Sequence, residues 1–379
     1  MAVVGRTGEN RRVNTLQLKV DPTCLDSPSA QAALDRAAAI LREGGLVALP
    51  TETVYGLGAN ALDAAAVARI FEAKRRPAWD PVIVHVSSLT MLDGLVQDVP
   101  EAARRLMEAF WPGPLTLLLP RSAAVPDAVT SGRPLVGVRM PAHPVALELI
   151  RRARVPIAAP SANTFGHISP TTSVHVLEDL DGRIDAVLDA GAAEHGVEST
   201  VLDPCQSPML IYRPGAVTAE QIRKVAGAVE IYSSSEPLRE ATPEDRIAGT
   251  SGVRLIAELD ALPSPGVGLR HYAPRARLIL LQAAFEDLRK RIDEVILGLS
   301  GERVGIMLPA ELPTPAGGLV VFPWGRWSVP HEMARELYAG LRALDAAQCT
   351  VILCPMPPAE GIGAALRDRL RKAACSTIG

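Results

Sequence analysis

The sequence predicts a two-domain protein of the α/β class, with a twisted mixed sheet in the first domain and a smaller α/β layer in the second. Three observations lead to this prediction. Short apolar runs alternate with segments of helical periodicity. The 379 residues exceed what a single hydrophobic core usually serves. A stretch rich in Ser, Pro, Gly and charge interrupts the alternation at residues 233–270, as is typical of a linker.

The first elements set the pattern of the first domain. Apolar residues recur at helical spacing from Leu34 to Leu41, and Gly44-Gly45 can end this helix. The apolar run 46–49 predicts a strand that is buried on both faces. Asp63 can cap a second helix that ends at Lys74. Further strands are predicted at 82–84, 115–119, 136–138, 157–159, 199–202 and 209–212, and further helices at 101–110, 144–152 and 218–227.

The alternation returns after the linker, from Ala276 onward. Strands are predicted at 278–281, 304–307, 319–322 and 351–354, and helices at 283–298, 331–346 and 362–373. We therefore expect a first domain at 1–230, a linker at 231–274 and a small α/β domain at 275–379.

Composition excludes several classes of protein. A net charge of −3 and an aromatic content of 4% argue against strong nucleic-acid binding by the whole surface. The five scattered cysteines form no Cys-x-x-Cys pair, which favours buried thiols in a reducing compartment. Neither a signal peptide nor an apolar run of roughly 20 residues is visible. These observations predict a cytoplasmic protein with no membrane partner.

Common nucleotide and metal motifs are absent from the sequence. There is no Gly-x-x-x-x-Gly-Lys-Ser/Thr loop, and Gly361-Ile362-Gly363 lacks the third glycine of a dinucleotide-binding turn, so we interpret it as a helix start. The seven histidines show no ligand spacing, and we expect no metal site built by the protein alone.

Six polar turns lie directly beside strands of the buried type, where ligands bind in open α/β sheets. The first, 50–58, follows the strand 46–49, although a tight turn with capping hydroxyls would explain it equally well. The second carries the cations Lys74, Arg75 and Arg76, which suit a triphosphate but also complement a helix dipole. A strand that ends at His85 follows it, and a lone histidine is more often a core residue than a ligand.

The remaining turns are 139–141, 158–163, 196–200 and 213–215. Arg139 follows a strand and can either clamp a carboxylate bidentately or pair with a neighbouring acid. Small residues around Ser161 and Asn163 let a ligand approach the backbone. Six such turns in one domain predict a single cleft with anion-binding walls.

In their order along the chain, these motifs resemble the threonylcarbamoyl-adenylate synthase family, the YrdC-like proteins, in its long two-domain form. The motifs are PTETVYGLG (50–58), KRRP (74–77), PVIVH (81–85), WPGPLT (111–116), VRMP (138–141), APSAN (159–163), SPT (169–171), GVESTV (196–201) and RPG (213–215). Residues 264–274 resemble the family's linker, which reaches back to the nucleotide. The resemblance implies a YrdC-like twisted mixed sheet with helices, followed by a small Rossmann-like accessory domain.

The resemblance also implies a reaction in which L-threonine, bicarbonate and ATP give threonylcarbamoyl-AMP and pyrophosphate. Mg²⁺ is expected to accompany ATP. Other proteins would then transfer the threonylcarbamoyl group to a tRNA adenosine. The residues that match the family's threonine site are Thr53, His85, Arg139 and Ser199. Those that match its ATP contacts are Lys74, Arg76, Ser161, Asn163, Ser169, Arg213 and, in the linker, Tyr272. Lys74, Arg76 and Arg139 are the expected catalytic residues.

The sequence departs from the family pattern at two positions. Arg75 replaces the usual glycine, and Asp80 replaces the usual asparagine. A carboxylate at position 80 would repel phosphate unless it faces magnesium or Arg76.

Two other functions stay open at this point. One is a carbamoyltransferase of the kind found in hydrogenase maturation proteins, although the zinc-finger and acylphosphatase segments of those proteins are not visible here. The other is an RNA-binding, translation-associated module with a weak direct tRNA contact through the cleft.

Overall fold

The computed structural model describes residues 14–232, 271–315 and 318–378 of the chain. Within these ranges the chain forms an eleven-stranded mixed sheet and a five-stranded parallel sheet. The last strand of the first sheet ends at Ile231, and the second sheet begins at Arg277. Most of the predicted linker, residues 233–270, lies outside the described residues.

The first sheet has the strand order β1-β8-β2-β3-β7-β4-β6-β5-β9-β10-β11. Its strands are β1 (Leu16–Lys19), β2 (Val47–Leu49), β3 (Gly56–Asn60), β4 (Ile83–His85), β5 (Leu115–Pro120), β6 (Leu135–Arg139), β7 (Ile157–Ala158), β8 (Ala186–Asp189), β9 (Thr200–Asp203), β10 (Met209–Arg213) and β11 (Val229–Ile231). The helices beside it are α1 (Pro28–Arg42), α2 (Ala64–Lys74), α3 (Leu89–Asp93), α4 (Glu101–Phe110), α5 (Asp127–Thr130), α6 (Pro144–Ala153), α7 (Ser173–Leu180) and α8 (Ala219–Ala226).

The second sheet has the order β14-β13-β15-β12-β16. Its strands are β12 (Arg277–Leu281), β13 (Val304–Leu308), β14 (Val320–Pro323), β15 (Val351–Pro355) and β16 (Ser376–Ile378), and its helices are α9 (Phe285–Leu297), α10 (Pro330–Ala346) and α11 (Gly363–Ala373). This is the small α/β domain that the sequence predicts. Because β15 lies between β12 and β13, the strand order differs from that of the usual dinucleotide-binding fold.

Local sequence signals account for the ends of α2, which the sequence predicts correctly. The Asp63 carboxylate accepts hydrogen bonds from the amides of Ala65 and Ala66, so it satisfies two donors of the first turn. At the other end, Arg75 adopts a left-handed conformation with φ of 54° and stops the helix. The cations after Lys74 therefore leave the helix and enter a loop.

The structure corrects the extent of the first polar turn. Residues 56–60 form β3, which pairs antiparallel with β2, so the turn itself covers only residues 50–55. At Gly58 a Cβ would lie 2.9 Å from side-chain atoms of Leu49 and Ile157, which explains why glycine occupies this strand position. Several short elements are also missing from the predictions (β1, β8, β11, β16, α3, α5 and α7). They are too short to show periodicity, and β1 pairs with β8 far along the chain.

Apolar side chains from both domains form one continuous cluster. Val54 and Val197 of the first domain pack in it with Tyr272, Trp324 and Leu337. The domains also approach each other closely at Gly196, where a Cβ would lie 2.5 Å from the carbonyl oxygen of Ala334 in α10. The second domain is thus packed directly against a loop that carries one of the predicted polar turns.

The cysteines differ from one another in exposure. All five are free, but Cys349 and Cys354 are buried whereas Cys24, Cys205 and Cys375 are exposed. The prediction of buried thiols is therefore wrong for three of the five. Among the helices of the described ranges, none is both long enough and apolar enough to cross a membrane.

We expect Gly196→Ala to lower the free energy of unfolding by about 1–3 kcal/mol, because the new methyl group would collide with backbone atoms of α10. Gly196 also has φ of +69°, so Gly132→Ala is the matched control. Gly132 has φ of +75°, and a Cβ there would have no described atom within 4 Å beyond its chain neighbours. Urea denaturation of both variants separates the collision from backbone strain. Equal losses of stability would contradict close domain packing at Gly196.

Candidate active site

One cavity of about 70 Å³ brings together residues from all six polar turns. Every turn contributes at least one residue to its wall, for example Thr53, Arg76, Arg139, Ser161, Ser199 and Arg213. The prediction that these turns share a single cleft is therefore confirmed. Pairing in the sheet explains the convergence for two of the residues involved, since β4 and β6 are parallel and place His85 directly opposite Arg139.

Arg139 occupies the centre of a buried polar cluster at the end of β6. Its Nη1 donates to Glu52 Oε1 (3.2 Å) and to Thr53 Oγ1 (3.1 Å), and its Nη2 lies 3.0 Å from His85 Nε2. A guanidinium has five N–H donors, and these contacts engage three of them. Arg139 Nε has no hydrogen-bond partner among the described residues. Arg139 consequently combines the two roles considered from sequence: it pairs with an acid and keeps donors for a ligand.

His85 is neutral in this cluster. Burial, reinforced by the positive charge of Arg139, lowers the pKa of His85 well below its usual value. The nitrogen that faces Arg139 must then be the unprotonated one, because it accepts a hydrogen bond from the guanidinium. His85 therefore orients Arg139 without adding a second positive charge to the site.

Ser199 and Arg213 form a second polar group on the cavity wall. Arg213 ends β10 and donates through Nε to the Ser199 carbonyl and through Nη2 to the Ser199 hydroxyl, both at 3.1 Å. The same hydroxyl lies 2.8 Å from Thr116 Oγ1 in β5. Gly215 follows in the same turn, and a Cβ there would lie 2.3 Å from the Thr200 amide nitrogen. The RPG motif is thus explained by close packing of two loops. Arg213 binds Ser199, and only glycine fits at position 215 beside the backbone of residues 199–200.

Arg76 is held in place by Asp80. The two side chains form a buried ion pair at 2.9 Å, and Arg76 also donates to the backbone carbonyls of Asp80 and Pro81. Asp80 has no exposed surface, whereas Arg76 lines the cavity. The unusual acid at position 80 therefore faces Arg76, which is one of the two arrangements that avoid repulsion of phosphate.

Lys74 and Asn163 lie behind the cavity wall. Lys74 is 1% exposed, and its ammonium donates to the carbonyls of Ser161 (2.6 Å) and Asn163. Asn163 is also buried, and its amide nitrogen donates to the carbonyls of Thr164 and His167. In this structure both residues fix the loop that presents Ser161, and a direct contact of either with ATP stays a prediction.

Glu198 is a site residue that the sequence predictions miss. Glu198 lines the cavity, and its carboxylate accepts a 2.6 Å hydrogen bond from Ser169, which is fully buried. Burial acts to raise the pKa of Glu198, but the charges of Arg369 and Arg213 and the Ser169 hydrogen bond outweigh it and lower this pKa to about 2. The residue stands inside the GVESTV motif, yet its partner Arg369 is 171 residues away, and no sequence signal connects them.

The described end of the predicted linker forms part of the cavity wall. His271 and Tyr272 both line it, and the backbone amide of Ala273 donates to the Gly166 carbonyl (3.0 Å). The His271 ring packs edge-on against Phe165 at 4.9 Å between ring centroids. Tyr272, the linker residue predicted from sequence, thus lies at the cavity, and His271 is an additional residue there.

Carboxylates near the cavity are dispersed. In the portions of the chain that the structure describes, no group of three or more His, Cys, Asp or Glu side chains could hold a metal ion. Each of Glu52, Asp80 and Glu198 pairs with its own arginine.

We expect His271 to make the protein less stable in mild acid. Burial, followed by the nearby charge of Arg76, lowers the pKa of His271 from 6.5 to about 3. Between these values the unfolded chain binds more protons than the folded one, so stability falls as pH decreases. His271→Gln should remove about 1–3 kcal/mol of the loss between pH 6.5 and about pH 4.5, measured by urea denaturation. The matched control is His331→Gln at an exposed position. An unchanged pH dependence in His271→Gln would contradict the buried, neutral state of this ring.

Two family models and several relatives of known function match this chain. The family model described as "Telomere recombination" matches residues 39–215, and the one described as "Threonylcarbamoyl-AMP synthase, C-terminal domain" matches residues 217–375. A threonylcarbamoyl-AMP synthase of Pyrococcus abyssi is 43% identical, with 89% of this chain and 92% of that protein covered. One of Bacillus subtilis is 41% identical, with the same coverage of both chains.

A solved structure extends the similarity to three dimensions. The crystal structure of Pyrococcus abyssi Sua5 complexed with L-threonine matches with a TM-score of 0.81 and 39% identity, over 97% of this chain and 99% of that one. This match confirms the predicted fold class, a twisted mixed sheet followed by a small α/β domain. From the two family models and from relatives matched over nearly their whole length, we conclude that the chain belongs to the threonylcarbamoyl-AMP synthase family.

Proposed function

We propose that this protein converts L-threonine, bicarbonate and ATP into threonylcarbamoyl-AMP and pyrophosphate. The observation that carries the proposal is the buried Arg139, which keeps unpartnered N–H donors among the described residues, in a cavity that Arg76 and Arg213 also line. A fork of donors fits a carboxylate, and additional arginines fit phosphates. Family membership and the threonine complex of the Pyrococcus relative support the same substrates.

The threonine half of the site is built around Arg139. Its remaining donors would hold the carboxylate of threonine, while Thr53 and Glu52 fix the other edge of the guanidinium. Ser199 offers a hydroxyl whose position is set by Thr116 and Arg213. Hydrogen bonds already hold these groups in the structure, so this half of the site is preorganised for threonine.

The nucleotide half is built around Arg76 and Arg213. These arginines would neutralise the phosphates, with hydroxyls of Ser161 and Ser169 and the ring of Tyr272 as further contacts. Bicarbonate supplies carbon dioxide with loss of water, and the amine of threonine adds to it and gives up a proton to form a carbamate. A carbamate oxygen then attacks the α-phosphorus and displaces pyrophosphate. The protein forms no covalent intermediate in this scheme, so positioning and charge neutralisation provide the catalysis.

Mg²⁺ is proposed to arrive with ATP. Magnesium usually binds through phosphate oxygens, water and one or two carboxylates, and when bound it would neutralise charge on the phosphates. Among the described residues that line the cavity, Glu198 is the one with a carboxylate, and Arg369 already pairs with it, so the phosphates and water would supply most of the coordination. Downstream, we propose that other proteins transfer the threonylcarbamoyl group from the product to a tRNA adenosine.

The direct test measures pyrophosphate release by purified protein with ATP and magnesium, with and without L-threonine and bicarbonate. Release that requires both co-substrates is the expected result. Turnover without threonine would favour the carbamoyltransferase alternative, and no turnover from folded protein would favour the RNA-binding alternative.

Arg139→Lys should raise the KM for threonine by about 10- to 100-fold, because lysine provides a point charge and no fork of donors. The KM for ATP should change little in the same assay. Arg121→Lys is the matched control, since Arg121 forms an ion pair with Asp127, a side chain that is 77% exposed. A threonine KM that stays at the wild-type value would exclude Arg139 as the carboxylate clamp.

Asp80→Asn should lower the KM for ATP by roughly fivefold. The carboxylate of Asp80 offsets the attraction of Arg76 for phosphate, and its removal should strengthen ATP binding by about 1 kcal/mol. Arg76 keeps its two backbone carbonyl partners in this variant. Asp127→Asn serves as the control for loss of an acid from an exposed ion pair. An increased KM for ATP would mean that Asp80 is needed to position Arg76 rather than to moderate its charge.

A further inference from the structure

The second domain reaches the cavity through two side chains. Tyr338 of α10 donates its hydroxyl to the Glu198 carboxylate (2.9 Å to Oε2), and Arg369 of α11 donates Nε to the same oxygen (2.7 Å). Both side chains are almost completely buried, at 0% and 1% exposed. Glu198 lines the cavity, so a single residue of the first domain separates these two side chains of the second domain from the cavity.

The same two side chains also contact the linker. The ring of Tyr338 stacks on that of Tyr272, with 5.7 Å between centroids and 26° between planes. The guanidinium carbon of Arg369 lies 5.3 Å from the centroid of the Tyr272 ring. Tyr272 has φ of 65°, an unfavourable conformation for tyrosine, and these contacts help to hold it there.

The contact between Arg369 and Glu198 also affects how the cavity can bind phosphate, because it compensates the negative charge of Glu198. A carboxylate on the wall of a cavity that receives a triphosphate would repel it. Arg369 compensates the charge of Glu198, and Asp368 in turn pairs with Arg369 and Lys372. With Arg369 absent, Glu198 would lose its ion pair and keep Ser169 and Tyr338 as neutral partners, so the charge of Arg213 would compensate it only in part.

We propose that Tyr338 and Arg369 are positioning residues for the nucleotide half of the site, acting through Glu198 on Ser169 and directly on Tyr272. This inference rests on the proposed function. It assigns the second domain a part in nucleotide binding, although no residue of that domain lines the cavity in the described part of the chain.

The contacts predict which substrate is affected. Ser169 and Tyr272 both belong to the set expected to contact ATP, and Arg213 acts electrostatically on Glu198. Within the described ranges, neither Tyr338 nor Arg369 has a hydrogen bond to Thr53, His85 or Arg139. Loss of either positioning residue should therefore weaken ATP binding and leave threonine binding nearly unchanged.

The test compares Arg369→Gln, Arg369→Lys and Tyr338→Phe in the full-length protein. In the pyrophosphate-release assay, Arg369→Gln should raise the KM for ATP about tenfold or more, with the KM for threonine within about twofold of wild type. Arg369→Lys should recover part of the loss because it retains the charge. Tyr338→Phe keeps the ring contact and should raise the KM for ATP about threefold through loss of one hydrogen bond.

Arg367→Gln is the matched control, because Arg367 lies on the same helix and donates to the Pro357 carbonyl instead. Thermal melting confirms that each variant is folded, and Tyr338→Phe provides the test if Arg369→Gln does not fold. Equal increases in both KM values, or wild-type values for Tyr338→Phe and the folded Arg369 variants, would overturn the proposal.

Calorimetric titration with a non-hydrolysable ATP analogue separates this proposal from the proposed function. If wild-type protein releases no pyrophosphate, the proposed function fails. Weaker analogue binding by Arg369→Gln than by Arg367→Gln would still support positioning, and equal binding by the two variants would reject it.

Discussion

The buried carboxylate of Glu198 is the group on which the arrangement of the two domains depends. A charge removed from water has to be paired and hydrogen-bonded, or the folded state loses several kcal/mol. Its partners are Ser169 from the first domain and Tyr338 and Arg369 from the second. Because no single segment supplies all of them, Glu198 is satisfied only when the domains are packed together. The cavity wall and the domain interface are therefore stabilised by the same carboxylate.

The rest of the site follows a similar rule, in which each cavity arginine has a fixed anchor. Arg139 is anchored by Glu52, Arg76 by Asp80, and Arg213 by the hydroxyl and carbonyl of Ser199. Such anchors reduce the mutual repulsion of closely spaced cations and hold their donors in place before a ligand arrives. Strand pairing sets the positions, since parallel β4 and β6 put His85 beside Arg139.

The sequence predicts the parts that depend on local signals. The Asp63 cap, the helix that it begins and the six polar turns all follow from neighbouring residues, and the turns do converge on one cavity. Interactions between distant residues are not predictable in this way. The Glu198–Arg369 pair is an example, as is burial of Lys74 against the 161–163 loop, which depends on how α2 packs. The 56–60 segment was also unpredictable as a strand, because glycines conceal its pairing with β2.

A double-mutant cycle between Glu198→Gln and Arg369→Gln tests the central role of this carboxylate most directly. The affinity for a non-hydrolysable ATP analogue would be measured for wild type, both single variants and the double variant. If Arg369 acts by compensating Glu198, Arg369→Gln should weaken binding strongly in the wild-type background and only slightly when Glu198 is already neutral. An equal loss of affinity in both backgrounds would show that Arg369 acts independently of Glu198 and would contradict the coupling of the second domain to the site through this residue.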